Sequence, residues 1–343
     1  MEQNYLSKGR LLDKRGNLVE AGYSFDLDKE YSRKDIKGNK TRIKEWDYYY
    51  VGDEKYGLAI TIDDNSYMSM ASISLLDFTN KKYTEKMSLG LFSFGKTKLP
   101  SSSKTGDVKY VNKVVDFHFD HIDENTRHIY GTYKNFDKDK ELKFDLYLKP
   151  SLDQSMVIAT PFFKKRHFYY NQKINNFEVK GSFSLGNLSY NFLEKDTSGV
   201  LDWGRGVWTY KNTWYWASLN TIKDDDRIGF NLGYGFGDTS KATENMLFID
   251  DEAFKLNDVE FIIPLNQRGK EAYLKKWKMV SKDGAINLTF TPIIHRKGGA
   301  NILIINSQQN QVFGYYNGTI KAGRKTYKIE NLLGFAEKVY NRW

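Results

Sequence analysis

LKFDLYL, residues 142–148, sets Leu142, Phe144, Leu146 and Leu148 against Lys143, Asp145 and Tyr147. Apolar side chains at every second position mark a half-buried β-strand, because successive strand side chains point to opposite faces. The same period runs through Val115, Phe117 and Phe119, and again through Ile286, Leu288 and Phe290. Turn signals separate such runs: Lys14-Arg15-Gly16-Asn17, Gly52-Asp53, Asp63-Asp64-Asn65, Lys282-Asp283-Gly284 and Tyr316-Asn317-Gly318. Helical periodicity is confined to short pieces, Arg33–Lys37 and a segment within Gly269–Leu274. Short strands with regular turns predict an all-β protein of antiparallel barrels or sandwiches. The polar stretch Asn171–Asn176 suggests a boundary, giving domains 1–175 and 176–343.

The chain has 343 residues, 40% hydrophobic and 28% charged, which supports a sizeable core and excludes wholesale disorder. It contains no Cys, which removes disulfides, thiolate metal sites and Cys nucleophiles. Apolar runs fall well short of the ~18 residues of a membrane helix. The N-terminus has no apolar signal stretch. A soluble, cytoplasmic protein without a transmembrane segment is the expectation. The net charge of +9 comes mostly from lysines spread along the chain. No nucleic-acid motif accompanies them, so no nucleic-acid partner is expected. Phosphate-loop, dinucleotide, nucleophile-elbow and zincin motifs are absent. His118 and Asp120 share a strand face, but without further ligands at recognisable spacing no metal and no cofactor is expected.

Residues 200–250 carry the functional signal. Aromatics make up 15% of the chain, and four of its seven Trp lie between 203 and 216. In Arg227–Gly237, Ile228, Phe230, Leu232, Tyr234 and Phe236 alternate with Gly229, Asn231, Gly233 and Gly235. One face of this strand is bulky and the other nearly bare. A bare face either leaves room for a ligand or admits a neighbouring side chain. Asp202 lies among Trp203, Trp208, Trp214 and Trp216, where desolvation would raise its pKa and make it a proton donor. Against that stands an ion pair of Asp202 with Arg205 or Arg227. Asp238, Thr243, Glu244 and Asn245 form a polar run that either caps a turn or orients a ligand at a barrel mouth. Asp202 and Glu244 are therefore the candidate catalytic residues. Trp203, Arg205, Trp208, Tyr210, Trp214, Trp216, Asn231, Tyr234, Asp238 and Asn245 are the candidate ligand contacts.

LDWGRGVW at 201–208, WYWAS at 214–218 and GFNLGYGFGDTSKATENMLF at 229–248 resemble the bacterial family known as domain of unknown function 2804. KEWDYYYV at 44–51, ATPFFKK at 159–165, QVFGYYNGTI at 311–320 and GFAEKVYNRW at 334–343 extend the resemblance to the C-terminus. Thr209 stands where that family often has Pro. The resemblance implies two lipocalin-like, calycin-type antiparallel β-barrels or half-barrels side by side, similar to carotenoid hydratase and tocopherol cyclase proteins. It implies a small hydrophobic or amphipathic ligand, with cofactor-free acid-catalysed hydration, isomerisation or cyclisation as the chemistry. The alternatives are a carbohydrate-active or sugar-binding protein using Trp platforms, and a non-enzymatic structural module. Whether a reaction is catalysed, the oligomeric state, and whether a pocket lies inside one barrel or between the two stay open at this stage.

Overall fold

The structure, a computed structural model, describes residues 2–223, 226–302 and 305–342. Nearly all regular structure in it is antiparallel β, with two short 3₁₀ turns at Arg33–Asp35 and Lys40–Arg42. The first coincides with one expected helical piece. Residues 269–274 form turns and a bridge instead, because they offer no apolar stripe to bury and Leu274 stays exposed.

Two large sheets hold most of the described strands, beside a two-stranded parallel pair of Gly9–Arg10 with Lys29–Glu30. In the first, the strands follow in space the order Lys82–Leu91, Met68–Asp77, Tyr56–Asp64, Ile43–Gly52 and Ser198–Val207. The order continues through Phe168–Leu185, Lys140–Pro150, Arg127–Asp137, Val115–His121 and Val108–Val111. This sheet curls until its two edges approach, and side chains close the seam. Tyr133 donates its hydroxyl to the Met87 carbonyl at 3.0 Å, and Asn112 Nδ2 donates to Ser88 Oγ at 2.8 Å. The second sheet runs Glu252–Lys255, Met246–Ile249, Asp226–Tyr234, Lys211–Lys223, Lys325–Arg342, Ile305–Ala322, Ile286–Ile302, Trp277–Val280 and Glu260–Ile262. Both are half-barrels, and each interior is filled. Phe117, Phe144, Tyr170 and Trp203 pack the first, and Phe230, Trp277, Phe290 and Tyr316 the second.

The passage between sheets lies at Trp208–Tyr210, because Ser198–Val207 belongs to the first sheet and Lys211–Lys223 to the second. The expected boundary at 175/176 falls inside the eighteen-residue strand Phe168–Leu185. Its polar residues belong to a strand whose first ten residues, Phe168–Phe177, are all buried. Tyr170, Gln172 and Ile174 point into the barrel, whereas Asn171, Lys173 and Asn175 meet the second sheet. Among the described residues no helix is long and apolar enough to cross a membrane.

The half-barrels join through a layer built by the outer faces of their central strands. One apolar cluster in this layer contains Tyr48, Tyr50, Val200, Trp216, Phe313 and Phe335; another contains Met156, Tyr169, Trp208, Phe236 and Phe248. Polar residues lie between the two.

Candidate functional site

Strand register explains how the polar residues meet. In the first sheet Lys173 pairs with Asp202, and Asp202 pairs with Tyr48, so these three form one row across three strands. In the second sheet Gly233, Trp216, Glu337, Gln311 and Arg296 form one row across five strands. The rows face each other. Lys173 Nζ lies 4.1 Å over the Trp216 ring, Tyr48 meets Trp216 edge-on at 5.9 Å, and Gln311 Nε2 donates to the Tyr48 hydroxyl at 3.3 Å.

Gly233 is the gap in the second row. A Cβ there would stand 2.7 Å from Glu244 Oε1, so the missing side chain is what admits the Glu244 carboxyl. Asn245 sets the approach: its Oδ1 accepts the Gly233 N–H at 2.7 Å and its Nδ2 donates to the Asn257 carbonyl at 2.7 Å. Gly229 likewise admits the Asn176 side chain. The bare face of the glycine strand is thus occupied by neighbouring side chains, and it leaves no ligand space at these glycines.

Three buried carboxyls consequently share this layer with Lys173, and Glu244 also feels the charge of Lys255. Lys173 Nζ bonds Asp202 Oδ1 at 2.9 Å, and Asn171 Nδ2 donates to the same oxygen at 2.6 Å. Glu244 and Glu337 have no cation within ion-pair distance among the described residues. Glu337 Oε1 accepts from Trp214 Nε1 at 2.8 Å, and Oε2 from Gln311 Nε2 at 3.2 Å. Gln311 Oε1 accepts from Arg296 at 2.7 Å, and Arg296 makes a two-pronged contact with Glu85 at the layer's edge. All four central charged residues are buried. Desolvation raises Glu337 to about 7, with the Asp202 charge pushing the same way and the Trp214 hydrogen bond opposing. Burial also raises Glu244, again reinforced by Asp202 and opposed by Lys173.

The expected site residues separate clearly against this geometry. Asp202, Glu244, Trp214, Trp216 and Asn231 come together; Trp216 Nε1 donates to Asn231 Oδ1 at 2.6 Å. Asp202 pairs with Lys173 and with neither expected arginine. Arg205 is three residues along the strand, hence on the opposite face, where it meets Asp47 at 2.9 Å and covers the Trp203 ring at 4.3 Å. Trp203 and Arg205 are therefore interior to the first barrel. Arg227 pairs with Glu178. Trp208 packs on Trp46, Trp214 and Phe236 within the aromatic cluster of the layer. Tyr210 is exposed against Arg42. Tyr234 stacks on Tyr215 at 4.5 Å against the second barrel's core. Asp238 caps a turn by accepting the Ser240 N–H at 3.0 Å. His118 bonds Asp116 at 2.7 Å and stacks on Tyr130, and no metal-holding cluster occurs among the described residues. Lys173, Glu337, Tyr48, Asn171 and Gln311 escaped the sequence reading. The available signal was the alternation of Asn171, Lys173 and Asn175 with larger residues.

A cleft of about 330 Å³ opens between the sheets beside this cluster, lined by Tyr50, Ser198, Ser218, Asn220 and Phe335 among others. Tyr50 and Phe335 lie two residues along their strands from Tyr48 and Glu337. One register step, about 7 Å, thus separates the cleft floor from the charged row. Asn171 Oδ1 is buried with no hydrogen-bond partner among the described residues.

The chain belongs to the family described as Domain of unknown function (DUF2804), whose model matches residues 2–343. Its fold is that of two-barrel, lipocalin-like proteins. Kievitone hydratase from Nectria haematococca is 12% identical with a TM-score of 0.56, covering 100% of this chain and 98% of its own. A structure described as an AttH from Nitrosomonas europaea is 14% identical with a TM-score of 0.50, covering 91% of this chain and 95% of its own. At these identities the likeness concerns the fold alone. Comparison with curated proteins gives no match.

Proposed function

We propose that this DUF2804 member binds a small hydrophobic or amphipathic molecule in the layer between its half-barrels, and that Glu337 and Glu244 supply cofactor-free acid chemistry to it. The observation carrying this reading is the pair of facing rows, which bring Glu244 and Glu337, neither of them ion-paired, beside the buried Lys173–Asp202 pair. Such a grouping costs stability, since buried charges are expensive and like charges repel. Clusters of this kind, with pKa values displaced toward neutrality, concentrate at functional sites.

The chemistry follows from the displacement. With Glu337 near 7, a substantial fraction of it stays protonated at neutral pH, as a general acid requires, and burial shifts Glu244 in the same direction. Transfer of that proton to a carbon–carbon double bond leaves a carboxylate and a carbocation. The Tyr48 ring stabilises positive charge, and the Lys173–Asp202 pair, whose ammonium already covers the Trp216 ring, holds the local field fixed. Addition of water then completes a hydration, and the released proton returns to the carboxylate. Loss of a proton from the cation instead completes an isomerisation. The cleft admits a ligand to Tyr50 and Phe335, and displacement of these two rings would open the charged row. A hydratase as fold neighbour is compatible with this reading. A sugar platform is less well supported, because Trp203, Trp208 and Trp216 are buried by protein rather than presented to a cleft.

Native mass spectrometry of freshly purified protein is expected to show a retained small molecule, and that molecule to turn over more slowly with Glu337→Gln. A chain that arrives empty and takes up no terpenoid or polyketide amphiphile from a panel would overturn the binding half. Unchanged turnover in both Glu337→Gln and Glu244→Gln would overturn the acid half.

A further inference from the structure

The second sheet covers only part of the first sheet's outer face. Leu76 and Tyr83, paired across adjacent strands, lie beneath it. Farther along the same two strands that face continues as Met70 opposite Leu89 and Met68 opposite Leu91. Met87, Leu89 and Leu91 are exposed, Leu91 by 76%. The chain then turns through Phe92 and Phe94, which are 64% and 47% exposed.

This turn is held against local preference. Phe92 and Phe94 have φ of 55° and 45°, in the left-handed region that bulky residues avoid. The Phe92 N–H donates to the Tyr67 carbonyl and the Phe94 N–H to that of Ser66, both at 2.8 Å. Buried Asp64 accepts the Gly95 N–H at 2.8 Å and the Thr97 hydroxyl at 2.6 Å. A turn pinned this firmly, yet presenting two phenylalanines to water beside a row of Met and Leu, is built to be covered.

The surrounding charge identifies what covers it. From Leu91 to Lys104 the chain carries three lysines and no Asp or Glu. Lys104 pairs with Asp26, while Lys96 and Lys98, on the segment that follows Phe94, are exposed with no ion-pair partner among the described residues. A second copy of this chain would bring the same unpaired lysines against them, so charge opposes self-association. We propose that this face docks on an anionic lipid bilayer, with Leu91, Phe92 and Phe94 entering the headgroup–acyl boundary and the lysines meeting the headgroups.

Co-sedimentation with vesicles tests it. The full chain is expected to partition into phosphatidylcholine vesicles containing about one third phosphatidylglycerol, and far less into phosphatidylcholine alone. Phe92→Asn/Phe94→Asn keeps the left-handed turn, because Asn tolerates that region, and is expected to weaken partitioning at least about tenfold. Lys96→Glu/Lys98→Glu should weaken it comparably on anionic vesicles only. Phe163→Ser, at a phenylalanine 98% exposed elsewhere, should change nothing. The proposal is overturned if the unaltered chain sediments with neither vesicle, or if Phe163→Ser reduces binding as much as the turn variants. It is equally overturned if the unaltered chain forms a dimer in sedimentation velocity that Phe92→Asn/Phe94→Asn abolishes.

Discussion

Asp202→Asn preserves shape while removing the charge that faces Lys173. In the folded chain Lys173 and Asp202 have side chains only 3% and 12% exposed, so solvent screens their interaction little. Asn can still accept the Asn171 Nδ2 hydrogen bond, so the loss is concentrated in the ion pair at 2.9 Å. Leaving one partner of a buried pair uncompensated costs ~3–5 kcal/mol, and the retained hydrogen bond places this case near 3. At about 2.1 cal/mol/K of unfolding entropy per residue over the 343 residues, that is a fall of roughly 4 °C in Tm. The loss should depend on pH with a definite sign. The Asp202 charge helps to hold Glu244 and Glu337 up, so both fall toward their ordinary range in the variant. One of them then ionises more readily and replaces the missing counter-charge. The variant should therefore trail the natural chain more at about pH 6 than at about pH 8.5. Urea unfolding followed by tryptophan fluorescence at the two pH values measures the gap. Lys173→Met/Asp202→Leu, which removes both charges, should recover most of it. Equal stability at the lower pH, or a gap that widens as pH rises, would refute Asp202 as the counter-charge of Lys173.

Glu337 predicts a complementary pH dependence. Its folded value of about 7 lies above its ordinary 4.5, so its neutral form favours folding at low pH and that advantage disappears as pH rises through the interval. Glu337→Gln should leave stability unchanged below about pH 4 and raise it by up to about 3 kcal/mol near pH 8, read from urea midpoints. Gly233→Val should cost about 2–3 kcal/mol, because its Cβ would meet Glu244 Oε1 at 2.7 Å and the Tyr215 carbonyl at 2.9 Å. An unchanged Tm would show that this backbone yields more easily than its packing implies. Arg205→Lys should lose about 2–4 kcal/mol, since the guanidinium bonds Asp47 and the carbonyls of Pro100 and Trp46. The pH profile attributed to Glu337 should stay as it was, and a moved profile would tie Arg205 to the site.

The all-β class, the alternating strands and the special character of residues 200–250 were legible because they depend on local periodicity. Leu142–Leu148 reads as a strand from its own residues, and one face of it is buried in the structure. Asp202, Glu244, Trp214, Trp216 and Asn231 were legible as candidates because polar residues among dense aromatics stand out in any order. Which of them meet was decided elsewhere. Asp202 faces Lys173 because Ser198–Val207 pairs with Phe168–Leu185 in one register, and a shift by one residue would turn it into the barrel. Strand parity alone separates Arg205 from Asp202, yet nothing local says that Lys173, twenty-nine positions earlier, takes its place. Glu337 reaches the site through the pairing of the C-terminal strand with Lys211–Lys223. Its pKa is raised because a second sheet removes water from that face. Periodicity along one chain determines which side chains share a face. Burial on both faces, cross-strand register and the desolvation that displaces a pKa exist only after distant strands have packed.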